Sequence, residues 1–232
     1  LVVRAGGSTN RSSHESPNQA LEELCARYWF PLYAFARRQG NAAADAQDLV
    51  QGFLLDVLER NAIAAASEKR GRFRNFLLRS FRNYQSKARE QASAIKRGGD
   101  FLHHSFEGGA AEQRFQHADS SAASPEQLFL RSWTMDLLAA ALEDLRQEYT
   151  QKGKAAIFAA LQDDLAEGST PDYAALSEAL DLSVGSVRVA LHRLRGRYRE
   201  AIRRAIADTL DHASEADVER ELTELLQALS AT

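Results

Sequence analysis

Apolar side chains recur three and four residues apart along most of this chain. Leu21, Leu24, Tyr28, Leu32 and Phe35 make one such run, and Val184, Val187, Leu191, Leu194 and Tyr198 make another. That spacing gathers them on one side of a 3.6-residue helix. β-Branched runs are almost absent and there are only four prolines. A sheet has little to grow from, and helices have little to stop them. The chain is therefore expected to be all-α. Apolar residues make up 44% of its 232, which is enough for real cores, and the length allows one large or two small domains.

The punctuation divides the chain. Residues 1–15 are polar and read as a flexible N-terminal arm. Ser16-Pro17 opens a helix that Gly40-Asn41 ends. Helices at about 43–60 and 69–94 complete a first domain over 16–97. Residues 98–124, with Gly98-Gly99, Gly108-Gly109 and a Ser/Ala run, read as a linker. Ser124-Pro125-Glu126-Gln127 then has the form of a capping box with proline at the first helical position. A second domain over 125–210 holds helices at about 125–150, 152–166, 171–180 and 183–206. Residues 211–232 form a C-terminal helical extension. Val218, Leu222, Leu225, Leu226 and Leu229 fall on one stripe of it, which is expected to pack on the second domain, with a regulatory contact as the other reading.

The net charge of −3 conceals two basic islands. Residues 68–97 hold ten Lys/Arg against two acids, and residues 184–204 hold seven Arg against one. Two such islands in an otherwise acidic protein suggest two polyanion contacts rather than solvated faces alone. Cys25 is the only cysteine, so no internal disulfide forms, which suits a reducing compartment. No segment has the apolar length of a membrane span or of a signal-peptide core. Starting at Leu1 rather than Met, the chain reads as a fragment or a processed protein, and a cytoplasmic one without membrane insertion. There is no phosphate-binding glycine loop and no nucleophile constellation, so neither an enzyme nor a cofactor is expected. His103, His104 and His117 are irregularly spaced and read as surface histidines rather than metal ligands.

Pro171 to Tyr198 has the pattern of a helix-turn-helix. Tyr173, Leu176 and Leu180 share a face of a short helix. Asp181-Leu182-Ser183 makes the turn, with Leu182 inward and Ser183 placed to cap a longer helix. The side of that helix opposite its apolar stripe carries Ser186, Arg188, Val189, His192, Arg193, Arg195 and Arg199. Such a face suits a DNA major groove, where arginine clamps phosphate or pairs with guanine. An αα-hairpin with a solvated basic face is the alternative.

In the first half, residues 45–58 form an acidic amphipathic helix. Residues 70–89 interleave Phe73, Phe76, Leu77, Phe81 and Tyr84 with Arg72, Arg74, Arg79, Arg82, Lys87 and Arg89. Basic groups can track a nucleic-acid backbone while rings stack on unpaired bases. At helical spacing most of these rings belong in a core, leaving one or two to meet bases.

Three blocks in this order resemble bacterial RNA polymerase sigma factors of the extracytoplasmic-function (ECF) type. They are D-A-Q-D-L-V-Q-G-F at 45–53, R-G-R-F-R-N-F-L-L-R-S-F-R-N at 70–83 and S-V-G-S-V-R-V-A-L-H-R-L-R at 183–195. The resemblance covers about residues 20–97 and 127–205; the linker and the trailing acidic helix mark a variant group. It implies a sigma domain 2 at 16–97 and a sigma domain 4 at 125–210. It also implies core RNA polymerase and promoter DNA as partners, with an anti-sigma factor as a third class. Core-polymerase contact would fall to Asp45, Asp48, Leu49, Gln51, Gly52 and Asp56. The −10 element would meet Arg72, Arg74, Phe76, Arg79, Asn83 and Lys87. The −35 element would meet Ser183, Ser186, Arg188, Val189, His192, Arg193 and Arg195. Gln47 and Gly52 stand where the family commonly has acids, Lys87 where Asp is frequent, and Asp181 where a turn glycine is usual. Asp tolerates the left-handed conformation such a turn needs. The rival function is a stand-alone helix-turn-helix regulator that binds operator DNA.

Overall fold

The computed structural model describes residues 17–59, 72–95, 108–118, 123–166, 169–210 and 213–230. These form nine α-helices without a strand, as the periodicity requires. They are α1 (Pro17–Arg38), α2 (Ala43–Glu59), α3 (Phe73–Ile95), α4 (Gly108–Ala118) and α5 (Pro125–Gln151). A seven-residue α6 (Ala155–Leu161) runs into a 3-10 turn at Gln162–Asp164. Then come α7 (Tyr173–Leu180), α8 (Val184–Ala207) and α9 (Glu215–Ser230). Among the described residues no helix is long and apolar enough to cross a membrane. The expected arm at 1–15, and His103 and His104, lie outside the described residues.

Chain contacts define two units. One is Leu1–Asp136 together with Ala207–Thr232, and the other is Leu137–Ile206. These limits differ from the expected 16–97 and 125–210, because the first part of α5 and the whole C-terminal segment belong with the N-terminal helices.

In the first unit, α1, α2 and α3 bury Leu32, Tyr33, Phe35, Phe53, Leu77 and Phe81. Phe81 packs against Phe53 at 5.1 Å and edge-on to Phe35 at 6.1 Å. Phe73 is buried as well, while Phe76 and Tyr84 are half-buried. Two of the four rings of the basic aromatic helix are therefore core. The capping box at the start of α5 forms as its sequence requires. The Gln127 N–H donates to Ser124 Oγ at 3.2 Å, and the Ser124 N–H donates to Gln127 Oε1 at 2.8 Å. A second box of the same form, between Ser214 and Asp217, opens α9.

Two expectations are corrected here. The segment 98–124 was expected to be a linker, yet it contains α4. Phe115 of α4 is buried and packs edge-on to Tyr33. Glu112 accepts from Tyr33 Oη at 2.6 Å and from Arg37 Nε and Nη2 at 2.9 and 2.7 Å. The low-complexity texture hid a short helix held by the Phe115 ring, by Glu112 and by Arg114, which lies over the Phe30 ring and pairs with Asp136. His117, at the end of α4, is exposed.

The second correction concerns the C-terminal extension, which packs in the first unit rather than the second. Its Glu221, 1% exposed, and Glu224 face Arg72 and Arg74 at the start of α3. The apolar stripe alone could not choose between two cores; the buried Arg74–Glu221 pair, with partly exposed pairs to Arg72 and Glu224 around it, marks the choice. Burial pushes the Glu224 carboxyl up, but hydrogen bonds from Arg74 and Arg72 outweigh it and hold it below its ordinary value.

The Glu112 fork has a pH signature. The Arg37 hydrogen bonds lead the causes that lower its carboxyl from 4.5 to about 2, with burial opposing and Tyr33 adding to them. A carboxyl held low in the folded chain adds stability above its unfolded value, and that stability is lost as pH falls. The urea midpoint of the first unit should therefore fall between pH 4.5 and about 2. Glu112→Gln should flatten that part of the profile. Trp29, stacked on Tyr33 at 5.2 Å, reports it by fluorescence. An unchanged slope in the variant would contradict the assignment.

Candidate nucleic-acid interface

The second unit builds a helix, a tight turn and a longer helix from local signals. Asp172 caps α7, its Oδ1 accepting from the N–H groups of Ala174 and Ala175 at 3.1 Å each. Asp181 ends α7 in the left-handed region, φ 52° and ψ 43°, the conformation expected where a turn glycine is usual. Leu182 turns inward onto the core, and the Ser177 hydroxyl donates to its carbonyl at 2.5 Å. Ser183 then caps α8, its Oγ accepting from the Ser186 N–H at 3.1 Å. Val187, Leu191 and Leu194 are buried with Leu145, Phe158 and Leu161, while Tyr173, Leu176, Leu180 and Tyr198 pack around them.

This packing fixes which side of α8 faces out. Ser186, Arg188, Val189, His192 and Arg193 are exposed, Val189 at 48%. Arg188 lies over the Tyr173 ring, 4.9 Å from its centre, so its stem is held against the scaffold. The Ser183 side chain, expected to reach DNA, is spent on the cap. Arg195 is a further correction. Its guanidinium donates to the Asp164 carbonyl at 2.8 and 3.1 Å and to Ser169 Oγ at 2.8 Å. It ties α8 to the chain after α6 instead of presenting a charge.

In the first unit, α2 and α3 enclose a cleft of about 420 Å³. Phe76, Ser80, Asn83 and Lys87 line it from α3 at positions i, i+4, i+7 and i+11, and Asp56 faces them from α2. Three of the six expected −10 residues thus come together. Ser80 was overlooked, though its place on the same stripe marks it. Tyr84 also lines the cleft. Burial first, and then the Asp56 charge, push its hydroxyl above the ordinary value.

The other three expected −10 residues lie apart from this group. Arg79 is exposed on α3 but does not line the cleft. Arg72 and Arg74 are consumed by Glu221 and Glu224, and Arg74 is 4% exposed and lies over Trp133. Their expected role as open base or phosphate contacts is corrected, since Arg74 is buried against Glu221 and Glu224, and Arg72, still partly exposed, is paired with the same two carboxylates.

On α2, Asp45 and Asp48 are exposed, and Leu49, Gln51 and Asp56 are half-buried. Leu55, one turn-pair beyond Asp48, is 59% exposed. Gln47 is buried, so an acid there would be inside rather than on a contact face. Gly52 faces inward too, because a Cβ there would overlap the Tyr84 hydroxyl. Its lack of a side chain makes room for that ring. Searches against protein-family models, curated proteins and solved structures find no match to this chain.

Proposed function

We propose that the chain is a DNA-binding specificity subunit of bacterial RNA polymerase, of the ECF sigma type, and not an enzyme. The observation that carries this reading is the exposed face of α8. Five side chains suited to base edges and phosphates stand on a helix whose capped start and buried stripe hold it in one orientation. Arg188 and Arg193 suit guanine or phosphate, and Val189 suits a thymine methyl. Two features of the first unit support the polymerase part. The outer side of α2 combines Asp45 and Asp48 with an exposed leucine, as a helix-to-helix contact with a basic partner would need. The cleft lined by Phe76, Asn83 and Lys87 offers a ring, an amide and a cation to an unpaired base.

One observation favours the rival, a regulator that binds operator DNA by itself. Two of the six expected −10 residues, Arg72 and Arg74, are occupied by α9. That leaves duplex contact chiefly to the second unit. Run-off transcription with purified core polymerase decides between them. The sigma reading predicts promoter-dependent transcripts and co-purification with core. Specific duplex binding with neither would establish the regulator instead.

A further inference from the structure

A groove of about 290 Å³ opens on the second unit between the end of α5, the turn at 152–154 and the middle of α8. Four cations line it, Lys152, Lys154, Arg193 and Arg197, and only Arg193 was among the expected DNA contacts. Two carboxylates share the groove. Glu148 accepts from Lys152 at 2.5 Å and from Arg197 at 2.6 Å, and Glu200 lies 3.1 Å from Arg197. Lys154 and Arg193 form no ion pair among the described residues, and both are exposed. Four cations against two carboxylates leave the groove positive. Gly196 lies on its wall, and a Cβ there would meet nothing within 4 Å. The space is therefore open.

The groove joins the exposed face of α8. Val189, Arg193 and Gly196 are i, i+4 and i+7 on one stripe, so Arg193 belongs to both surfaces. Seven residues of helix span about 10 Å, which matches the axial rise of roughly three phosphates on one DNA strand. The occupant's chemistry follows from what is present and what is missing. Protein interfaces centre on exposed aromatic or aliphatic anchors. Tyr149, the ring of this groove, is turned onto Phe158 at 5.9 Å. Flexible lysines beside arginines suit phosphate oxygens read without regard to sequence.

We infer that this groove is a backbone-phosphate site for the DNA whose bases meet α8. The inference rests on the DNA-binding reading of the α8 face. It assigns Lys152 and Lys154 to a contact that fixes register, with Arg193 bridging base edges and backbone. Glu148 acts as an internal competitor that holds Lys152 and Arg197 until a phosphate takes its place.

The test uses the full chain and a duplex selected by it from a random pool, with a scrambled duplex beside it. Binding is measured across a salt series. Lys154→Gln should weaken both duplexes by the same factor, about threefold to tenfold, and lower the salt slope by about one. Glu148→Gln should act in the opposite direction, tightening both duplexes and steepening the slope. Lys154 is exposed and Glu148 half-buried, and circular dichroism verifies that each variant is folded. If wild-type chain binds duplex and both variants keep its affinity and slope, the groove is overturned while the α8 reading stands. If wild-type chain retains no duplex from the pool, the α8 reading is overturned and the groove with it.

Discussion

Replacing Arg74 with Met is expected to lower the stability of the first unit by about 3 to 5 kcal/mol. Arg74 is the chief partner of a carboxylate that is 1% exposed. Its Nε and Nη2 reach Glu221 Oε1 at 2.7 Å, and Nη2 also reaches Glu224 at 3.0 Å. Arg72 Nε lies 2.6 Å from the second Glu221 oxygen, but that oxygen has no hydrogen bond of good geometry. Distance alone overstates that contact, so Arg74 carries most of the neutralisation. Losing it strands a buried negative charge, which costs far more than losing an exposed pair. The variant also removes the cation over Trp133, whose ring stacks on Tyr28 at 6.2 Å. The double variant Arg74→Met with Glu221→Leu should recover most of the loss, because apolar side chains of similar size need no partner in a core. Urea unfolding followed by tryptophan fluorescence measures this directly, since both tryptophans, Trp29 and Trp133, lie in the first unit. A single-variant loss below about 1 kcal/mol would mean that the pair is a surface decoration.

Leu191→Ala should cost the second unit about 2 to 5 kcal/mol. Leu191 is 1% exposed and sits between Val187 and Leu194 on the stripe that seats α8 against Leu145 and Phe158. The second unit has a small core, so the cavity has few neighbours able to collapse into it. The same stripe orients Ser186, Val189 and Arg193, so the duplex binding proposed for this face should fall with the folded fraction. Val189→Ala is the comparison. Two residues away on the same helix, but 48% exposed, it should change stability by about 0.5 kcal/mol or less. Thermal melts by circular dichroism separate the two. Equal losses would mean that α8 is rotated from the orientation described.

Most of the helices were legible because they are local. Periodicity, a capping serine or aspartate and the turn at Asp181 act over four to eight residues, and they specify α5, α7 and α8 closely. The core rings of α3 were legible for the same reason. The helix α4 was not. Its sequence is rich in Gly, Ala and Gln, and it depends on Glu112 reaching residues 75 and 79 positions earlier. Arg195 was misjudged for a related reason. On a helical wheel it borders the exposed face, and only the position of the Asp164 carbonyl turns it away.

The candidate site divides along the same line. A sequence names which side chains share a helix face, so Ser186, Val189 and Arg193 could be grouped, as could Phe76, Asn83 and Lys87. It does not name what lies opposite. Gly52 reads as a member of a polymerase-contact face, yet Tyr84 lies across from it and needs the space that a side chain would fill. Arg72 and Arg74 read as open cations until Glu221 and Glu224 arrived from about 150 residues away in sequence. By itself, then, the sequence determined an all-helical chain, its caps, its turn and the side of α8 that would be buried, because backbone hydrogen bonding and side-chain periodicity are near-neighbour physics. Only the tertiary structure decided where α9 docks and which basic residues remain exposed, because burial and charge pairing depend on partners that the chain brings together only when folded.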